Sequence, residues 1–316
     1  VLLIGAGLFL RSLGAATTID PGFDTGPAAI LDVDGRGAGY ESGEAFAPVL
    51  DAAIADLRAR PGIDEVALTT RMPLDLGNTV RFYDVPGVPA PANRDNHRIE
   101  LAFVSPTYFS AMEIGILEGR GLAEADRAGA APVAVVSRAL AASFWPEGGA
   151  IGRTLVQVDD RENPVTVVGV AEDVKIWTLQ EAPRPYLYLP RAQNPDRWAH
   201  VIVRGAAPPA RLGQLALESL RRVDPTVYVP RVRSMEEHLS YILFLPRMAA
   251  TLIGGFALLA LVLSAIGLYG VVSYGVARRT KEMGIRLSLG AEAADVVRLV
   301  VRGGLVLAAA GAAIGI

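Results

Sequence analysis

The sequence predicts an α+β extracytoplasmic domain, a split βαβ module with an inserted mostly-β lobe, attached to transmembrane α-helices. Three observations carry this. No charged side chain occurs from Met248 to Ala277. A basic cluster, Arg278, Arg279, Lys281 and Arg286, follows at once. Upstream, two strand–helix–strand patterns lie far apart in the chain, over 28–70 and 199–232.

The uncharged run is decisive because of its length. Thirty residues at ~1.5 Å of rise each exceed the ~30 Å hydrocarbon core of a bilayer. A soluble helix apolar on every side would need a far larger core than 316 residues supply. The Lys/Arg bias of short loops then puts the end after Ala277 in the cytoplasm.

In chain order, VLLIGAGLFL (1–10) is apolar up to Arg11. At ~15 Å it is too short to span alone and reads as the end of a truncated transmembrane helix, residues 1–11. Residues 12–246 then lie outside. AAILDVD (28–34) alternates like a half-buried strand. SGEAFAPVLDAAIADLRAR (42–60) sets Phe46, Val49, Leu50, Ala53, Ile54 and Leu57 at helical spacing, and IDEVALTT (63–70) is strand-like. AHVIVRG (199–205), PARLGQLALESLRRV (209–223) and TVYVPRV (226–232) repeat the pattern. Each unit has a sheet face to bury, so 24–71 and 199–233 are expected to pair as one split module. Residues 72–198 form the inserted lobe. Its strands are RIELAFV (98–104), VAVVS (133–137), VTVVGVAEDVKI (165–176) and PYLYLP (185–190), with Ser105 and Ser137 as helix N-caps. Ser234 and Glu237, at capping-box spacing, open a juxtamembrane helix over 234–245 that Pro246 ends. The remainder, 247–316, divides into a span (248–277), a cytoplasmic loop (278–295) and a second truncated span (296–316), so the chain reads as cut inside a membrane helix at each end.

Composition removes several function classes. The chain has no cysteine and therefore no thiolate nucleophile or thiolate metal site. Its net charge of −3 provides no basic field for nucleic acid. His97, His200 and His238 stand apart in sequence without paired-ligand spacing, and no G-x-x-x-x-G-K-[ST] phosphate loop occurs. Gly35, Gly37 and Gly39 lack the spacing of a dinucleotide loop and read as a turn. Asp159, Asp160 and Glu162, and likewise Glu172 with Asp173, read as solvated turns rather than a calcium site. No residue is assigned as catalytic, cofactor-binding or metal-ligating. Gly255, Gly267 and Gly270, with Gly311 and Gly315 in the next apolar run, are small residues that let membrane helices approach closely.

Several stretches together resemble the permease half of MacB/FtsX-type ABC transporters: DPGF (20–23), VSPTYFSAM (104–112), GRGLAEAD (119–126), VAVVSRALAASFWP (133–146), IGRTL (151–155), VVGVAEDVK (167–175), RSMEEHL (233–239) and RRTKEMGIRLSLGA (278–291). The likeness runs from end to end and is greatest to permeases in which two such halves are fused. It implies a non-enzymatic permease of the bacterial inner membrane, multi-pass, with a MacB-like periplasmic core domain. It also implies a separate ABC ATPase subunit that binds the ATP, a second permease half or protomer, and a periplasmic adaptor, working in efflux or export by mechanotransmission. The rival within the same resemblance is an FtsX-like signalling protein that activates an extracytoplasmic enzyme. In the family, the loop after the second helix docks on the ATPase. Carried onto this chain, that role falls to Arg279, Glu282, Met283, Gly284, Ile285, Arg286, Leu287 and Gly290. Met283 with Leu287, and Ile285 with Leu289, are i,i+4 apolar pairs, Glu282 and Arg286 an i,i+4 ion pair, and Gly290 can end the helix.

Overall fold

The structure, a computed structural model, describes residues 19–75, 77–281 and 284–285. Two compact units divide it: Ile19–Leu243, and the described residues from Phe244 onward. The elements are β1 (Ala29–Asp34), α1 (Gly43–Arg58), β2 (Ile63–Thr69), β3 (Val80–Asp84), β4 (His97–Val104), α2 (Tyr108–Ala111), β5 (Ile116–Gly119), β6 (Val133–Ser137), α3 (Arg138–Phe144), β7 (Thr154–Gln157), β8 (Asp160–Ala171), β9 (Tyr186–Pro190), β10 (Trp198–Gly205), α4 (Pro209–Val223), β11 (Tyr228–Ser234) and α5 (Met235–Arg278).

The strands of the first unit run in the order β11-β1-β10-β2-β4-β3-β7-β8-β6-β9. Among the first four every pairing is antiparallel, with β1 held between β10 and β11. Strand β9 returns to pair with β4 in parallel, so β4-β3-β7-β8-β6-β9 closes into a six-stranded ring, and closure leaves these six strands no continuous open edge. All six contribute to one apolar cluster, among them Tyr83, Leu101, Leu155, Val167, Val136 and Leu187.

The edge strand β11 of the four-stranded sheet is largely exposed, while the inner strands, β1 and β10, are covered on both faces. Helices α1 and α4 pack on one through Phe46, Leu50, Leu57, Leu212 and Leu220, against Leu31, Val33, Val66, Leu68, Val201 and Val203. The other face presents Ile30, Ala67 and Ile202 to a second cluster that includes Leu74, Tyr108, Tyr188 and Met235. This corrects the reading of residues 28–34 as a half-buried strand. Ala29 to Val33 are buried on both sides, because the second face of their sheet meets protein rather than water. Each fully buried Val, Leu or Ile side chain contributes about 1.5–3 kcal/mol.

The ring and the four-stranded sheet meet at one ladder pair, Thr69 opposite Val104. Beyond it the strands part, and side-chain hydroxyls replace the ladder. Ser105 Oγ accepts the Leu68 N–H at 2.9 Å, Thr70 Oγ1 accepts the Phe103 N–H at 3.0 Å, and Thr107 Oγ1 donates to the Val66 carbonyl at 2.8 Å. The expected N-cap role of Ser105 is therefore corrected. Helix α2 starts only at Tyr108, and Ser105 instead satisfies a buried backbone donor that would cost about 1–3 kcal/mol unpaired. Ser137 does cap α3, accepting the Leu140 N–H at 3.1 Å.

A tight crossing of β8 with the end of β5 supplies a test of packing. A Cβ at Gly169 in β8 would lie 2.0 Å from the Arg120 carbonyl oxygen, where β5 returns alongside. Gly169→Ala is expected to destabilise the unit by about 1–3 kcal/mol, read as a lower urea midpoint at unchanged m-value.

Helix α5 also departs from expectation. The sequence predicts a juxtamembrane helix ended by Pro246, whereas a single helix runs from Met235 to Arg278 with Pro246 inside it. A proline in mid-helix removes one i→i−4 bond, and in a chain that continues for eight more turns of apolar helix one lost bond does not stop propagation.

Candidate functional site

The first turn of α5 is fixed by the sheet it leaves. Ser234 Oγ accepts the Glu237 N–H at 3.0 Å and Glu237 Oε2 accepts the Ser234 N–H at 2.8 Å, a completed capping box. The Met235 N–H donates to the Ala28 carbonyl at 2.9 Å, and the Met235 side chain is wholly buried. One turn on, His238 is buried with Nε2 2.8 Å from the Pro73 carbonyl, so Nε2 carries the hydrogen.

Beneath this turn lies a buried ionic group on the sheet face away from α1 and α4. The register puts Asp32 of β1 directly opposite His200 of β10. His200 Nδ1 is 2.8 Å from Asp32 Oδ1, and Arg233 Nη1 of β11 is 2.6 Å from Asp32 Oδ2. Trp198 Nε1 donates to His200 Nε2 at 3.2 Å, which leaves the imidazole hydrogen on Nδ1, facing the carboxylate. Asp75 Oδ2 lies 3.9 Å from His200 Nε2. Burial works against a charge on Asp32, but the hydrogen bond from His200 and the charge and hydrogen bond of Arg233 together outweigh it and hold the carboxyl below the ordinary carboxylate value. Arg233 Nε is buried without a hydrogen-bond partner. At His238 burial is the largest influence and lowers the imidazole from its usual value, with Arg233 and His200 acting in the same direction and the Pro73 carbonyl and Asp75 against it.

Sequence reasoning took the histidines one at a time and missed this cluster. The available signal was Asp32 itself, a carboxylate between the apolar residues Leu31 and Val33, with Arg233 on the strand paired beside it. His97 is separate, buried in edge-on contact with Phe144. No group of three His, Asp or Glu among the described residues could hold a metal ion.

In the second unit, α5 carries an apolar segment of 28 residues, Thr251–Arg278, whose most apolar 18-residue stretch has mean hydropathy 2.3. Its large side chains, among them Phe256, Leu259, Leu263, Ile266, Tyr269 and Tyr274, are exposed around the whole circumference, so only a surrounding apolar medium or neighbouring helices could cover them. The segment is long enough to cross a bilayer with some tilt. Gly255, Gly267 and Gly270 lie in it, each with nothing within 4 Å of an added Cβ among the described residues. After Arg278 the chain closes a turn, the Arg279 N–H donating to the Val276 carbonyl at 3.0 Å, with exposed Arg279 and Lys281. Of the residues assigned to ATPase docking, Arg279, Gly284 and Ile285 are described, Gly284 and Ile285 being helical and Ile285 exposed. Glu282, Met283, Arg286, Leu287 and Gly290, with Gly311 and Gly315, lie outside the described residues.

A mixed α/β unit whose final strand runs into a membrane-length helix defines a membrane-anchored domain protein. Residues 9–220 match the MacB-like periplasmic core domain, and residues 254–316 match the FtsX-like permease C-terminal domain. The chain belongs to the family of MacB/FtsX-type ABC transporter permeases. It is similar to the macrolide export ATP-binding/permease protein MacB of Rhodospirillum rubrum, with 24% identity over 200 residues, 61% of this chain and 30% of that protein. It is also similar to the uncharacterised ABC transporter permease YvrN of Bacillus subtilis, with 25% identity over 232 residues, 67% of this chain and 55% of that one. The matches thus span about a third to a half of these relatives' length. Among solved structures, the periplasmic region of MacB from Actinobacillus actinomycetemcomitans aligns with 70% of this chain and 94% of its own, at 15% identity and a TM-score of 0.47.

Proposed function

We propose that this chain is a non-enzymatic, multi-pass part of an export permease in the bacterial inner membrane, one half of a fused or paired permease, driven by a separate ABC ATPase subunit and served by a periplasmic adaptor. Residues 12–246 lie outside and 278–295 inside. Within the outer part, 24–71 and 199–233 act as one split α/β module with 72–198 inserted, a reading supported by the interleaved order β11-β1-β10-β2. The observation that carries the proposal is a helix whose first turn is seated by its capping box, the Met235–Ala28 bond and the His238–Pro73 bond, and which is apolar over 28 residues further on. ATP-driven movement at the cytoplasmic end, taken up by Arg279, Glu282, Met283, Gly284, Ile285, Arg286, Leu287 and Gly290, would pass along that helix to the outer module. Gly255, Gly267, Gly270, Gly311 and Gly315 offer close faces for neighbouring membrane helices.

Topology is the first test. A cysteine at Ser42 is expected to react with an impermeant maleimide in intact spheroplasts, and one at Ser288 only after lysis. The chain has no cysteine of its own to blur the result. The reverse pattern would overturn orientation and mechanism together. If the outer module captured a wall hydrolase instead of an adaptor or cargo, the FtsX-like signalling role would replace export.

A further inference from the structure

We propose that His238 is a proton-operated latch that seats the first turn of α5 on the outer domain, holding while neutral and releasing when it takes a second proton. The importance of release for transport rests on the permease reading above, whereas the latch itself does not.

The geometry sets the latch. His238 is 4% exposed, and its Nε2–H is committed to the Pro73 carbonyl at 2.8 Å. The same turn holds Met235 at 0% exposure, and Leu239 packs against the cluster that includes Ile30, Leu74 and Tyr188. With Nε2–H already used, an incoming proton must go to Nδ1, which turns the buried ring into a cation. The groups facing it come from each neighbouring element: Arg233 on β11 and His200 on β10 oppose a further positive charge, while Asp75, in the segment after β2, favours it. Asp32 of β1 is already engaged with both His200 and Arg233. On α5 itself, Glu236 and Glu237 are exposed, and Glu237 is occupied by the capping box.

The direction follows from linkage. Seated, the imidazole is lowered below its ordinary value, chiefly by burial. Unseated, it would titrate near the free value of ~6.5. The seated turn therefore has its full advantage above ~6.5 and loses it as pH falls from there through the lower seated value, by up to about tenfold in the seated-to-released ratio per pH unit. Outside the cytoplasm, pH follows the surroundings, so this is the side on which a proton can serve as a signal.

The test uses the full chain in lipid nanodiscs. A cysteine replacing buried Met235 is labelled with a maleimide, and its rate is divided by that of a cysteine replacing exposed Ser240, which cancels the reagent's own pH dependence. The ratio is expected to climb several-fold from pH 7.5 to 5.5 and to stay flat in His238→Gln, whose amide keeps a donor for Pro73. Asp75→Asn removes the carboxylate that favours the charged ring, which lowers the seated value further while the released value stays near ~6.5, so the ratio is expected to start rising at the same pH but to rise further before it levels off. A pH-independent ratio in the parent, or an equal rise with glutamine at 238, overturns the latch. Should His238→Gln label fast at every pH, Asp75→Asn decides, since loss of a merely structural contact would raise the ratio equally at every pH without extending its rise to lower pH. No ATPase is needed, so this result stands apart from the fate of the permease proposal.

Discussion

Asp32→Ala is expected to destabilise the Ile19–Leu243 unit by about 3–5 kcal/mol, because it leaves the Arg233 guanidinium buried without its carboxylate. Both side chains are nearly enclosed, at 9% exposure for Arg233 and 10% for Asp32, so solvent does little to screen the loss. For a unit of this size the change corresponds to a thermal midpoint lower by about 10 °C. All three tryptophans, Trp145, Trp177 and Trp198, lie in this unit, so intrinsic fluorescence reports its unfolding directly. Asp32→Leu combined with Arg233→Met is expected to recover much of the loss, since an apolar pair of similar volume avoids desolvating either charge. The sign with pH is fixed by the lowered carboxyl. Its contribution is present above the ordinary value of ~3.9 and fades as pH falls through the folded value, so parent and variant should converge in strong acid. A cost below about 1 kcal/mol at neutral pH would show that the cluster is not a stabilising anchor.

Met283→Asp and Leu287→Asp are each expected to release the ATPase subunit from the purified complex. A carboxylate buried without a partner costs several kcal/mol, and a few apolar anchors dominate the affinity of most interfaces. A loss of about 3 kcal/mol is more than a hundredfold in Kd. Glu282→Ala should change retention only slightly, because an exposed i,i+4 ion pair contributes about 0.3–0.5 kcal/mol. Co-purification of the ATPase with either Asp variant at parental yield would exclude this loop as the docking element.

The elements of the outer unit were legible wherever one periodicity dominated. Helix α4 was read at the bounds observed, and α1 within two residues, because their apolar positions repeat at helical spacing. Not every short strand was legible: the five-residue β6 and β9 were read from their apolar runs, whereas three others were not. β3, β5 and β7 have four or five residues each, too few for alternation to stand out, and they are held by pairing across the ring rather than by their own pattern. The anchor beneath α5 was missed for a different reason. Asp32, His200 and Arg233 are brought together by strand register, and register depends on which distant strands pair. Pro246 was read as a helix end because a local breaker was given more weight than the long apolar helix already expected on its far side, which carries propagation through it.

The position of β1 sets a timetable for biogenesis. Its two neighbours, β10 and β11, are both contributed by the last part of the outer unit, and Ala29 pairs with Val203, more than half the chain away. At about 5–20 residues per second of synthesis, the first strand waits on the order of 10–35 s before either partner exists. Through that interval the apolar residues Ala29, Ile30, Leu31 and Val33 have neither neighbour of the finished sheet. The six-stranded ring, whose strands all lie between residues 80 and 190, can close first. A nascent chain with that ring closed would still carry β1 unpaired at its N-terminal side, where a holding chaperone would find its target.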